Sequence, residues 1–137
     1  MSADAMTLAD ITSADWSLKL GAIGEVVQGI EDVEQCLQII LTTPRGSDVL
    51  RPTFGVDVWR YIDSPMNSAV PAIVREVSTA ITLWEPRVSI VSVSAAPAAG
   101  NTTQAGAQLE VSVTWALKLA SATSPTHTTT VTIPGGF

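Results

Sequence analysis

Glu85, Pro86 and Arg87 set a carboxylate, a ring-locked residue and a guanidinium side by side, a combination open to three kinds of chemistry. Glu85 with Asp57 would supply the two carboxyls that glycoside hydrolysis requires a few ångströms apart. Nothing in their spacing brings them together, and a guanidinium beside Glu85 favours the ionised form, whereas a general acid must hold a proton. Arg87 paired with Glu76 or Asp57 would instead be a turn-fixing ion pair, worth about 0–1 kcal/mol if exposed. A rigid corner that turns both charges outward would be a docking site. The residues alone leave these last two readings open.

Other reactive residues are sparse. One cysteine, Cys36, excludes an internal disulfide, and with the single His127 it does not make a zinc site of the usual type. Cys36 falls on an apolar helical stripe and reads as core. No serine stands in a nucleophile elbow, and there is neither a P-loop nor a GxGxxG. No metal and no cofactor is expected.

The chain has 137 residues, 46% hydrophobic and 15% charged, which suits one domain with a modest core. So little charge suggests that partners cover part of the surface. Residues 1–43 carry seven acids against Lys19 alone, which accounts for the whole net charge of −6. The five arginines and five acids of residues 44–87 balance, so no basic stripe offers itself to nucleic acid. The N-terminus lacks the apolar core of a signal peptide, and no apolar run is long enough to span a membrane. The expected protein is cytosolic, or part of something assembled there.

The elements that must position the Glu-Pro-Arg corner follow from periodicity. Residues 1–14 read as a flexible arm and 15–137 as a single domain. Trp16, Leu18 and Leu20 alternate as a strand, Gly21 and Gly24 bracket a turn, and residues 25–30 return. Asp32 with Gln35 resembles a capping box, followed by the stripe Val33, Cys36, Leu37, Ile40 and Leu41 and stopped by Pro44. Residues 43–66 have no clean period and read as an ordered, functional loop that Phe54, Trp59, Tyr61 and Ile62 fix to the core. A second helix, capped by Asn67 or Ser68 with Pro71 in its first turn, buries Val70, Ile73, Val74, Val77, Ile81 and Trp84 and ends before Pro86.

Strands complete the chain. Residues 88–93 alternate with a one-residue slip at Ile90/Val91, which either a bulge or a strand buried on both faces would explain. After a small-residue loop over 95–108, Leu109, Val111, Val113, Trp115, Leu117 and Leu119 alternate without a break. Thr126–Ile133 is polar and β-branched, as an edge strand is. It is either shielded by its own side chains and Pro134 or open to an added strand. The expected fold class is α+β, with two helices packed on a small, mostly antiparallel sheet in the order β-β-α-loop-α-β-β-β.

Two blocks carry a family resemblance: IILTTPRGSDVLRPTFG at 39–55, and LWEPRVSIVSV at 83–93, in which Glu-Pro-Arg follows an apolar helix. In this order and separation they resemble the sheath-initiator, or baseplate wedge, family of contractile phage tails. Relatives of that family occur in phage-tail-like bacteriocins and type VI secretion baseplates. The resemblance implies a structural protein of the virion tail baseplate, assembled in the host bacterial cytoplasm, with six copies around the tail tube. It implies that Glu85, Pro86 and Arg87 dock on the helical bundle of the wedge proteins, with the loop bearing Arg51, Pro52, Phe54 and Gly55 supporting them. It further implies that strands at 109–119 (Leu109, Val111, Val113, Trp115) and 126–133 (Thr128, Thr130, Thr132) pair with arms of the tail sheath protein. Nucleic acid and membrane are not expected partners. On this reading Arg87→Glu abolishes docking and leaves the domain folded. The family has also carried a lysozyme label, which makes a cell-wall hydrolase using Glu85 the alternative.

Overall fold

The computed structural model describes residues 5–61, 64–98, 108–118 and 125–133. The readings for Ile62, Leu119, Pro134, residues 1–4 and most of the 95–108 loop lie outside them. Five strands and two helices follow in the expected order: β1 (Trp16–Leu18), β2 (Val26–Gln28), α1 (Ile30–Thr42), α2 (Met66–Trp84), β3 (Val88–Pro97), β4 (Leu109–Leu117) and β5 (Thr126–Ile133). They form an antiparallel β1–β2 pair and an antiparallel sheet of order β3-β4-β5. The return strand is thus shorter than the 25–30 read from sequence. Ahead of β1, the Val26 N–H donates to the Met6 carbonyl at 2.9 Å, and the Thr12 and Ser13 N–H groups donate to the Gln28 side chain.

α1 starts two residues before the expected cap. Gly29, at φ 62°, turns the chain into the helix, and its carbonyl accepts from the Val33 N–H at 3.2 Å. A side chain is strained at that angle, whereas glycine is not. Asp32 therefore lies inside the first turn, where a carboxylate complements the helix dipole, and it caps nothing. Gln35, released from the capping box, reaches to β1. It accepts from the Leu20 N–H (2.9 Å) and donates to the Leu18 carbonyl (2.8 Å) and the Ser17 hydroxyl (3.0 Å). Val33, Leu37, Ile40 and Leu41 are buried as expected, while Cys36 is half-buried.

α2 begins at Met66 behind Pro65, so Asn67 and Ser68 are helical and Pro71 falls in the second turn rather than the first. Ile73, Val77 and Ile81 make its buried stripe together with Ala69 and Ala80, while Val70, Val74 and Trp84, expected in it, are only half-buried. The Glu85 N–H donates to the Ile81 carbonyl at 2.8 Å and closes the helix, and Pro86 turns the chain into β3.

The bulge in β3 is present: register with β4 shifts between Ile90 and Ser92, leaving Val91 exposed. β4 alternates as read, and Leu109, Val111, Val113 and Trp115 are buried. Trp115 donates its indole N–H to the buried Thr129 hydroxyl at 2.9 Å, the partner that a buried indole requires. His127 lies against the same ring, with centroids 4.9 Å apart. The core therefore sits between the inner face of β3-β4-β5 and the two helices.

The long loop is closed at its base. The Val56 N–H donates to the Thr43 carbonyl (3.0 Å) and the Arg45 N–H to the Val56 carbonyl (3.1 Å). Gly55, at φ 101°, makes that approach possible, since a Cβ there would overlap the Thr43 carbonyl oxygen. Phe54, Val56 and Val58 are buried, and Trp59 and Tyr61 pack on the core from a turn of 3-10 helix at Val58–Tyr61.

Candidate functional site

At the corner where α2 meets β3, the three guanidinium nitrogens of Arg87 are all engaged. Nε donates to Glu85 Oε1 at 2.7 Å and Nη2 to Glu85 Oε2 at 2.8 Å, a bidentate pair. Nη1 donates to Asp32 Oδ2 at 3.0 Å and lies 3.3 Å from Asp15 Oδ1. Asp32 also accepts from the Ser17 hydroxyl. Glu85 is 3% exposed and Asp32 is equally buried, whereas the Arg87 side chain keeps 30% of its surface in solvent. The hydrogen bonds that Glu85 accepts hold the Arg87 guanidinium well above its ordinary range, against partial burial and with Asp32 adding to the effect. Cys36 Sγ stands 3.6 Å from Arg87 Nη2, and burial, with Asp32 and Glu85 nearby, pushes the thiol up.

This geometry corrects the expected partners of Arg87. Glu76 pairs with Arg45 at 2.6 Å and Asp57 with Arg60 at 2.9 Å, so neither reaches the corner. Asp57 and Glu85 form no acid–base pair: each holds its own arginine. Asp32 was hidden from the sequence because it lies 55 residues from Arg87 and occupies a position that a cap would also fill. The corner is a brace linking β1, α1 and α2 to β3. Two buried carboxylates depend on one cation, and removing one partner from such a set typically costs about 3–5 kcal/mol. Arg87→Glu leaving the fold untouched does not agree with that arrangement.

Beside the brace opens a pocket of about 180 Å³ lined by Cys36, Ile39, Ile40, Arg51, Phe54, Trp84 and Glu85. Three of the expected docking residues, Arg51, Phe54 and Glu85, thus meet on one surface, with exposed Pro86 and part-exposed Arg87 next in the chain. Arg51 lies over the Phe54 ring, 4.0 Å from its centroid, a cation–π contact. Phe54 meets the edge of Trp84 at 5.2 Å, and Trp84 donates its indole N–H to the Thr53 carbonyl.

The strand residues separate into two groups. β4 is hydrogen-bonded to β3 on one side and β5 on the other, so the positions of Leu109, Val111, Val113 and Trp115 have no free edge, and their side chains are core. An added arm therefore finds no free edge along Leu109–Leu117. Thr128, Thr130 and Thr132 lie on β5, and nothing among the described residues pairs with its far side. Their side chains face outward, where Thr130 and Thr128 meet Ser112 and Thr114 hydroxyl to hydroxyl at 3.0 and 3.4 Å.

Known proteins agree with this architecture. Baseplate protein W of Escherichia phage P2 is 35% identical over 74 residues, which cover 53% of this chain and 64% of that protein. The match thus spans less than two-thirds of that relative's length. A crystal structure described as that of a candidate tail lysozyme from Geobacter sulfurreducens superposes with a TM-score of 0.65 at 28% identity, covering 78% of this chain and 91% of the other. A chain of the type VI secretion baseplate complex superposes with a TM-score of 0.59 over 76% and 93% of the two chains, and at 18% identity it speaks to the fold alone. The profile of the family described as baseplate wedge protein gp25 matches residues 27–122, which contain both helices, the loop and the Glu-Pro-Arg corner. The chain belongs to the baseplate wedge protein gp25 family.

Proposed function

We propose that this protein is a structural component of a contractile-tail baseplate that joins the wedge at the Arg87 corner and starts the tail sheath by accepting a strand on β5. Family membership and the phage P2 relative support the baseplate part. The observation that carries the sheath part is β5 itself, an eight-residue strand at the end of its sheet. The opposite edge strand, β3, is bent by its bulge and ends in Pro97, which makes it the poorer template. An extended arm of the tail sheath protein would add its backbone hydrogen bonds to β5. Six copies around the tail tube would make weak individual contacts act together.

At the wedge-facing corner, Pro86, the exposed part of Arg87, Arg51 and the Phe54 pocket form the contact surface. Glu85 acts by positioning Arg87, since both its oxygens are already taken. The same pairing weighs against a cell-wall hydrolase, because Glu85 is almost closed to solvent and both its oxygens are held by the Arg87 guanidinium. The purified protein is expected to leave peptidoglycan intact.

Hydrogen exchange with and without the cognate sheath subunit tests the sheath reading. New protection confined to 126–133 is the expected result. Unchanged exchange of β5 on addition of a sheath subunit that binds elsewhere would overturn strand addition.

A further inference from the structure

Among the described residues, every strand edge but one carries something that turns an added strand away. The outer edge of β1 is taken by the Gln35 side chain, which binds the Leu18 carbonyl and the Leu20 N–H. The arm beside β2 leaves the sheet after Thr7, whose N–H donates to the Asp10 carboxylate at 2.9 Å. β3 is bent by its bulge and ends in Pro97. Edge strands are ordinarily guarded by such devices or by a charged side chain. β5 has none of them over its eight residues: no proline, no bulge against β4, and no acid, lysine or arginine. Its outward side chains are Thr126, Thr128, Thr130 and Thr132, all exposed. A hydroxyl both donates and accepts, so this row is complementary to itself.

We infer that β5 of one copy pairs antiparallel with β5 of a second copy, joining two three-stranded sheets into one of six strands about a two-fold axis. The register follows from parity. Thr129, Val131 and Ile133 are buried on the inner face and the even-numbered threonines lie outside, so opposed residues must be both odd or both even. An axis at Thr129 or Thr130 does this with nearly the whole strand overlapped. At Thr130, Thr128 faces the partner's Thr132. At Thr129, Thr128 faces the partner's Thr130. Either way threonine meets threonine on the outward face, a favourable cross-strand pairing with no charge to oppose it. The interface is one strand wide, far smaller than that of a stable dimer, so the pair comes apart on dilution. It covers the edge on which a sheath arm would add, and a paired copy is closed to sheath until the arm displaces its partner. Self-pairing needs only the open edge, not the sheath reading.

Sedimentation velocity of the purified full chain over a rising concentration series is the test. Wild type should shift from the mass of one chain toward that of two, with amide exchange over 126–133 slowing in step. Thr130→Lys sets like charges beside the axis from an exposed position, so its melting temperature should match wild type while its dimer dissociation constant rises at least about tenfold. Ser94→Lys adds the same charge to the outward face of β3 and should leave the dimer intact. A wild type that keeps the mass of one chain throughout would overturn self-pairing. Equal behaviour of the two variants would do the same, since the contact would not then lie at β5. A single-chain wild type whose β5 still gains protection from the sheath subunit would sink self-pairing and leave strand addition standing.

Discussion

Two arginines in this protein are each clasped by a carboxylate close in sequence, Arg87 by Glu85 and Arg51 by Asp48, and their surroundings are opposite. Arg87 draws on a second buried acid from a helix 55 residues away, and its carboxylates are almost closed to water. Arg51 and Asp48 sit on an exposed turn with their apolar neighbours in solvent. The chemistry of the two pairs is nearly the same. Burial decides that one holds the fold together while the other holds a surface in shape. A charged tripeptide conspicuous in the sequence is thus largely internal wiring, and a plainer stretch, DVLR, makes the more protruding surface.

Breaking the buried pair gives the largest effect. Arg87→Ala strands Glu85 and Asp32 and should lower stability by about 3–5 kcal/mol, read as a shift of the urea unfolding midpoint at unchanged slope. A loss under about 1 kcal/mol would place the corner among surface ion pairs and erase the contrast. Next comes the loop base. Gly55→Ala forces a side chain into φ 101° against the Thr43 carbonyl, and it should cost at least about 1–3 kcal/mol in thermal unfolding. Arg51→Ala removes the cation over Phe54 and should cost only about 0.5–1 kcal/mol. Its clearer sign is a changed near-ultraviolet signal from Phe54 and Trp84.

The smallest effect belongs to Asp48 and sharpens the comparison by pH. Desolvation pushes its carboxyl up, but the Leu50 and Arg51 N–H groups and the Arg51 guanidinium together outweigh it and hold the carboxyl below the ordinary carboxylate range. A depressed folded value means that the clasp is complete above the unfolded value and is lost as pH falls through the folded one. Amide exchange at Leu50 and Arg51, corrected for intrinsic rates, should quicken in that acid window. Asp48→Asn should remove the pH dependence. Exchange at those amides that is flat across the window would mean that the turn does not depend on the carboxylate.

Much of the frame was legible. α1 and α2 announced themselves by stripes, because a helix that buries one face repeats apolar residues every three or four positions. β4 did so by strict alternation, and the slip at Ile90/Val91 marked a real bulge, because one extra residue inverts the faces of everything after it. Helix starts were less legible. Asp32 and Gln35 have the side chains of a capping box, yet the turn was made by Gly29, whose positive φ leaves no trace in side-chain chemistry. β1 carries a similar lesson. Trp16, Leu18 and Leu20 alternate as an apolar face would, but they point to solvent while Ser17 turns inward to Asp32.

The sequence by itself determined which segments are helices and strands, that β5 is polar enough to lie at an edge, and the order of blocks that marks the family. These properties are local, set by side-chain period and backbone preference. Only the tertiary structure decided that β4 is interior, which removed it as a strand acceptor, and that Asp32 is the second partner of Arg87. Val49 and Leu50 stand in solvent for the same reason. Burial and ion pairing depend on residues far apart in the chain, and no local pattern records which of them meet.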